Sequence, residues 1–527
     1  MEIIGTLGFI TLSIVAYNRK DSINNYLSKH MLINKLCPFI ICFIISSLLA
    51  INLNLSPFNN ATPGTDSSVF LYIGKAIYNG AIPYKELFDH KGILLYFIEY
   101  FGYLIGFGNQ VGVWIVELIN LYITTLIFFK IATLFSESRI VCYLSSYIVL
   151  HLSSITFFIG EGGNLTEEYA LPWISISLYI VIKFFITKEY KRWNIILLGI
   201  SFTVVFFLRV NMVGLWGALI IAVSVYLLKS KRVSDFFKCS LLFFAGCLLV
   251  IVPIILYLVL TDSLKYMIDY YFIFNLSYTG SHSRKGIIFF FFDCLTYAGI
   301  SSFFIVYSLL INYKNKALWV NFITLLFAYV SAAISGRSYA HYGIILIPFF
   351  LLPTVLSIDP FMKKTKAISM NVIKKRTVAL VVLFCMLCLA FYPSYRFYAM
   401  LREPIVHNEL FNYLSNKTTE KDDVLLLGNN VFDYLSSERY TKNKFFYQEP
   451  PINVSDKLYN DFISEIENIH SDYIINSKPK ENLLSEPDNK DIESNYQKVI
   501  AYLNNECEKG VYRLEKYNSF QVYVRRI

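Results

Sequence analysis

Apolar residues fall in long runs along this chain, and several runs reach the ~20 residues that cross a bilayer as a helix. The pattern predicts spans at 2–17, 37–55, 110–133, 140–158, 171–187, 193–209, 210–229, 239–260, 287–311, 317–334, 341–357 and 377–394. Residues 92–108 are apolar but short, and the distribution of basic loops decides their reading. If this segment lies flat at the surface, all the short basic loops share one side: 18–36, Arg139, 188–192, 229–238, Lys314 with Lys316, and 363–376. If it crosses, the loop 18–36 disagrees with every later one, so the flat arrangement is preferred. About twelve spans follow, with both termini on the outer face.

The pattern changes after Tyr395. Residues 402–527 carry many charges and asparagines. VLLLG (424–428), KFFY (444–447), DYIINS (472–477) and VYRLEKYNSFQVYV (511–524) read as strands, the last as a hairpin about Asn518-Ser519. Residues 456–469 and 491–506 read as helices. Strands alternating with helices predict a small α/β domain outside the membrane. The expected division is an N-terminal span and basic loop (1–36), a transmembrane module (37–395) and an extracytoplasmic α/β domain (396–527).

Composition agrees with a polytopic α-helical membrane protein: of 527 residues, 55% are hydrophobic and only 16% charged. The net charge of +9 sits mostly in the short loops, so it reports topology and not a nucleic-acid surface. Nine cysteines are scattered, and Cys385 and Cys388 fall inside a predicted span, so packing explains them better than a disulfide framework or a metal. The first apolar run has no small-residue cleavage site and reads as a span.

Charged residues gather where the chain is otherwise greasy. The stretch 66–100 carries Asp66, Lys75, Lys85, Glu86, Asp89, His90 and Lys91 beside a span. Ionisable groups kept near a bilayer are costly and usually functional. Its middle predicts short interfacial helices broken at Gly80 and Pro83. Asp66 suits either a carboxylate at the mouth of the bundle or a helix N-cap. GEGGNLTEEYALP (160–172) packs Glu161, Glu167 and Glu168 at a span, and reads equally as a solvated turn and helix start. Glu99 and Glu117 read as helix-pairing or headgroup-facing residues. Arg209 and Asn211 sit where two spans meet; the arginine can snorkel to lipid phosphate or hold a substrate phosphate. In SGRSYAHYG, Arg337, Tyr339, His341 and Tyr342 suit a phosphate or sugar-hydroxyl site, with an aromatic belt as the alternative for the tyrosines.

PYKELFDHKGILLYFIEYFG, GNLTEEYALP and GRSYAHYGIILIP, in this order, resemble a bacterial branch of the GT-C glycosyltransferases. That group includes protein O-mannosyltransferases and transferases of aminoarabinose or other sugars from polyprenyl phosphate. The resemblance covers about 37–395. The chain departs from the family pattern in two places: Ser68 replaces the second acid of Asp-x-Asp after Asp66, and Lys91-Gly92-Ile93 stands where relatives have Lys-Pro-Pro. No metal ligands are assigned, and a divalent metal is the one cofactor left open.

The resemblance implies transfer of a sugar from a polyprenyl-phosphate donor to a cell-envelope polysaccharide, lipid or protein, on the outer face of the cell membrane and with inversion. Such a displacement needs a base for the acceptor proton and cations for the departing phosphate. Asp66 is the expected base. By the resemblance, Asp89 and Glu167 or Glu168 shape the site. Lys91, Arg209 and Arg337 are the expected phosphate cradle, with His90, Asn211, Tyr339 and His341 as further substrate-binding residues. The nearest enzymatic alternative is a lipid-linked polysaccharide polymerase or ligase. The non-enzymatic one is a flippase or transporter, but transporters place polar sites near the midplane of repeated halves, and no halves repeat here.

Overall fold

The computed structural model describes residues 12–58, 61–152, 162–276, 300–334, 339–366, 409–449, 451–477, 492–517 and 519–526. In chain order its principal helices are α1 (Met31–Ala50), α2 (Thr65–Tyr78), α3 (Ile93–Ile105), α4 (Val111–Ala132), α5 (Arg139–Tyr147), α6 (Thr166–Thr187), α7 (Arg192–Phe206), α8 (Gly214–Lys229), α9 (Val233–Leu260), α10 (Ile300–Ile311), α11 (Lys316–Ala333) and α12 (Leu351–Lys366). The C-terminal part holds α13 (Glu409–Lys417), β1 (Val424–Leu427), α14 (Val431–Ser437), α15 (Asp456–Ile469), β2 (Tyr473–Asn476), α16 (Ile492–Glu508), β3 (Tyr512–Lys516) and β4 (Gln521–Arg525). Among the described residues, seven helices are long and apolar enough to cross a membrane, so the chain is a multi-pass membrane protein. They match seven of the expected spans. The expected span 377–394 lies outside the described residues.

The chain divides into two compact units. One holds residues 1–59, 114–253 and 283–402; the other holds 60–113, 254–282 and 403–527.

In the first unit, close helix contacts are built from glycine. A Cβ on Gly199 would lie 2.0 Å from the Phe243 carbonyl oxygen, and one on Gly246 would lie 2.1 Å from that of Ile196. The backbones of α7 and α9 meet through these two positions, as small residues allow in membranes. Prolines in these helices leave carbonyls without a backbone donor four residues earlier. At three of them a side chain from a neighbouring helix supplies the missing hydrogen. Arg139 donates to the Asn34 carbonyl (3.1 Å) ahead of Pro38, Asn120 to that of Glu168 (2.7 Å) ahead of Pro172, and Asn321 to that of Phe349 (2.9 Å) ahead of Pro353. A lipid environment offers no water for this task. Helix α6 consequently begins at Thr166, five residues before the expected span, and carries Glu167 and Glu168 in its first turn.

In the second unit, α2 runs from Thr65 to Tyr78, and the chain breaks as expected at Gly80, where φ is +101°. Its N-cap is Gly64, so Asp66 lies within the first turn and is not the cap. Helix α3 has 13 residues, roughly 20 Å of helix against a ~30 Å hydrocarbon core. The sheet has the order β1-β2-β4-β3. β1 and β2 pair in parallel (Val424 opposite Tyr473), and β4 pairs antiparallel with both β2 and β3. Two helices lie almost where the pattern put them, at Asp456–Ile469 and Ile492–Glu508.

KFFY is not a strand. Phe445, Phe446 and Tyr447 are all buried, which a ladder with alternating faces does not explain. Other groups satisfy the segment's backbone. Phe88 N–H donates to the Lys444 carbonyl (2.8 Å), and the Gln448 amide donates to that of Phe445 (2.6 Å).

Candidate functional site

In the second unit, the loop between α2 and α3 buries a carboxylate. Asp89 is 2% exposed. Tyr96 of α3 donates to its Oδ2 (2.9 Å), and Tyr447 donates to its Oδ1 (2.6 Å). His90 Nδ1 lies 3.3 Å from Oδ1, and Lys91 Nζ lies 3.1 Å from His90 Nε2. An ammonium has only hydrogens to give, so Nε2 accepts and the imidazole N–H faces Asp89. The result is a line of three polar groups: carboxylate, imidazole, ammonium.

The backbone of this line is fixed from several sides. Tyr84, fully buried at φ +65°, donates to the Lys91 carbonyl (2.7 Å). Lys91 N–H donates to the Tyr96 oxygen (3.1 Å), and Asn275 donates to the His90 carbonyl (2.8 Å). A tyrosine in the left-handed region costs about 1–3 kcal/mol, and such strain concentrates at functional sites. Burial alone raises the Asp89 carboxyl. The His90 hydrogen bond, the Lys91 charge and the Tyr447 hydroxyl outweigh it and hold the group well below the usual carboxylate range.

Asp66 stands half-buried in the first turn of α2. An acid there is favoured by the helix dipole.

In the first unit, the turn Gly162-Gly163-Asn164 has positive φ throughout (85°, 86°, 55°). A Cβ on Gly163 would lie 2.6 Å from Glu117 Oε1, so this approach needs glycine. The turn delivers Asn164 N–H to two carboxylates, Glu117 Oε1 at 2.5 Å and Glu168 Oε2 at 3.0 Å, both fully buried. Tyr169 donates to Asn164 Oδ1 (2.7 Å). The neighbouring Glu167 binds Arg209 Nη1, and Arg209 Nη2 donates to the Tyr342 hydroxyl (2.7 Å). The guanidinium lies 4.3 Å from the Tyr342 ring centroid, a cation–π geometry. His341 stacks on Tyr339 at 5.6 Å and meets Tyr342 edge-on at 4.7 Å.

The sequence-predicted residues therefore fall into two sets. Asp89, His90 and Lys91 form one cluster. Glu167, Arg209, Tyr339, His341 and Tyr342 form another, with Glu168 beside it at Asn164. Asn211 follows Arg209 in a 3-10 turn with its Oδ1 buried and without a partner among the described residues. Arg337 and Glu161 lie outside the described residues. Sequence reasoning missed Tyr96, Tyr447 and Asn275, which hold Asp89 and His90. Glu117, expected to pair helices or face headgroups, is buried on α4 and takes the Asn164 N–H at the start of α6. Among the described residues no three His, Cys, Asp or Glu side chains gather as metal ligands would.

The family model of the competence-induced Ccs4 N-terminal domain matches residues 27–412. The chain belongs to that family. No curated protein matches by sequence. Among solved structures, the crystal structure of ArnT from Cupriavidus metallidurans bound to undecaprenyl phosphate aligns at TM-score 0.58 with 12% identity. That alignment covers 93% of this chain and 98% of the other. The Archaeoglobus fulgidus oligosaccharyltransferase in complex with zinc and sulfate aligns at TM-score 0.45 and 12% identity, over 84% of this chain and 68% of that one. The chain thus has a GT-C-like fold matching ArnT, with a small mixed sheet that lies beyond the family match.

Proposed function

We propose that this protein is a membrane glycosyltransferase that moves a sugar from a polyprenyl-phosphate donor to a cell-envelope acceptor. The observation that carries this reading is the end-to-end likeness to ArnT, a protein crystallised with undecaprenyl phosphate. The cluster at Asp89 supports it chemically. A lipid-phosphate donor needs a fixed cation, and Lys91 is a lysine only 8% exposed, held beside a buried carboxylate through an imidazole.

In the proposed reaction an acceptor hydroxyl attacks the anomeric carbon. The carbon–oxygen bond to the phosphate breaks, and the electron pair leaves on the phosphate. The acceptor proton passes to the Asp66 carboxylate, and attack opposite the leaving group inverts the anomeric centre. Lys91 steadies the charge that develops on the phosphate. Asp89 keeps its charge and, through His90, holds Lys91 in place. Arg209, whose charge Glu167 matches, braces its own cluster with Tyr342, and Arg337, Asn211, Tyr339 and His341 are further candidates for sugar or phosphate oxygens. Glu167 and Glu168 shape their surroundings. Catalysis lies on the outer face of the cell membrane.

Transfer of radiolabelled sugar from polyprenyl phosphate, measured with purified protein in lipid, tests the reading. Asp66→Asn keeps a polar group in the first helical turn but cannot take a proton. A loss of roughly 10²–10⁴ in rate with unchanged expression is expected. Transfer by Asp66→Asn at the wild-type rate overturns the assignment of the base. Absence of transfer by the wild type with every polyprenyl-phosphate sugar offered overturns the function.

A further inference from the structure

Helices α6, α7, α8 and α9 enclose a cavity of about 290 Å³, close to the lower bound for small-molecule pockets. It lies at the C-terminal end of α6. From Glu168 to Lys183 is 15 residues of one helix, roughly 22 Å of rise, so the cavity and the buried acids occupy opposite ends of the same span. The interior is apolar, with Phe184, Ile195, Leu219, Val223 and Phe243 on its walls.

Its mouth is basic. Lys183 and Lys191 line it, and segments 183–192 and 229–238 carry eight basic residues against two acidic ones. Lys183 is half-buried and meets only a neutral group, the Tyr179 hydroxyl at 3.3 Å, with the Tyr179 ring 5.5 Å away. Among the described residues it has no acidic partner. Of the two acids nearby, Asp235 takes hydrogen bonds from Arg232 (2.7 Å) and Tyr190 (3.0 Å), and Glu189 lines the cavity beside the lysines. Arg232 also donates to the Lys188 carbonyl (2.8 Å), which ties the two basic segments together around the opening.

A cation on a membrane-spanning helix without a counter-ion, at the mouth of an apolar cavity, is matched by a ligand that carries an anion and a hydrocarbon tail together. We propose that this cavity binds an anionic phospholipid of the surrounding bilayer, with acyl chain inside and phosphate held by Lys183 and Lys191. Basic pockets between spanning helices recognise lipid headgroups in this way. The site is independent of the transfer reaction proposed above.

Native mass spectrometry of the full chain, released from micelles containing equal phosphatidylglycerol and phosphatidylcholine of identical acyl chains, tests it. The wild type is expected to retain phosphatidylglycerol preferentially. Each lysine contributes about fivefold, so Lys183→Ala with Lys191→Ala should lower that preference roughly 25-fold. Ser224→Phe, which fills the cavity from α8, should abolish retention while both lysines remain. Equal retention of the two lipids by the wild type reveals annular lipid only and overturns the proposal. So does wild-type preference in the double lysine variant, or retention of soluble glycerol phosphate as strong as that of the lipid. If the double variant does not fold, Ser224→Phe alone decides: wild-type retention of phosphatidylglycerol by it overturns the site.

Discussion

The protein holds two clusters in which an acid, a cation and a tyrosine meet inside the fold, and they are wired differently. In one, Arg209 is bound directly to Glu167 and lies on Tyr342, so its charge is matched within the fold. In the other, Asp89 is surrounded by two tyrosine hydroxyls and a histidine, and Lys91 meets it only through that histidine. Among the described residues Lys91 makes no ion pair. A cation already matched by an acid is chiefly structural; a cation kept one residue away from its acid retains charge for a ligand. The contrast assigns stability to the arginine and chemistry to the lysine.

The largest expected effect is on the arginine. Arg209→Ala strands Glu167 as a buried, uncompensated charge and should cost about 3–5 kcal/mol of stability, measured by denaturant titration in mixed micelles. Arg209→Lys should recover part of it, because the planar fork is lost but the charge is kept. An Arg209→Ala protein as stable as the wild type would erase the contrast.

Next comes Lys91→Ala. Transfer should fall by roughly 10²–10³ while the unfolding curve moves little. If stability falls and the surviving protein turns over normally, the roles of the two cations are reversed.

A smaller effect sharpens the picture of Asp89. Tyr447→Phe removes one hydrogen bond to a charged group, at a cost of about 1.5–3 kcal/mol. It also leaves the carboxyl with less to hold it down. A depressed carboxyl contributes stability in full above its unfolded value of about 3.9, and that stability disappears as pH falls towards the folded value. Without the Tyr447 hydroxyl the folded value rises, so acid unfolding should begin at higher pH than in the wild type. Coincident acid limbs for the two proteins would show that the hydroxyl does not govern Asp89.

The smallest change tests the proline carbonyls. Asn120→Ala leaves the Glu168 carbonyl without its donor, and should cost about 1–3 kcal/mol without altering the pH dependence.

What could be read along the chain follows from how local its causes are. The spans were legible because a bilayer demands one long apolar run per crossing. Asp456–Ile469 was legible because its apolar positions recur on one helical face and Ser455 caps it. KFFY misled because three consecutive apolar residues with β propensity look like a buried strand, although Phe88 and Gln448 satisfy that backbone from elsewhere. Asp89, His90 and Lys91 stood out as charges in a greasy region. Their partner Tyr447 did not, because it lies 358 residues away and nothing nearby marks it. Glu117 was similarly hidden, since its role depends on the Asn164 turn 47 residues later.

That separation has a consequence for how the protein is made. The Asp89 loop leaves the ribosome long before Tyr447, which lies beyond the residue 412 where the family match ends. At about 5–20 residues per second, the intervening 358 residues take roughly 20–70 s to synthesise. For that interval the loop has Tyr96 beside it in sequence but not its second hydroxyl, and Phe88 N–H has not yet met the Lys444 carbonyl. The cluster is thus completed only after Tyr447 has been made, and a chain that stops before it would be inserted in the membrane with its lysine unset.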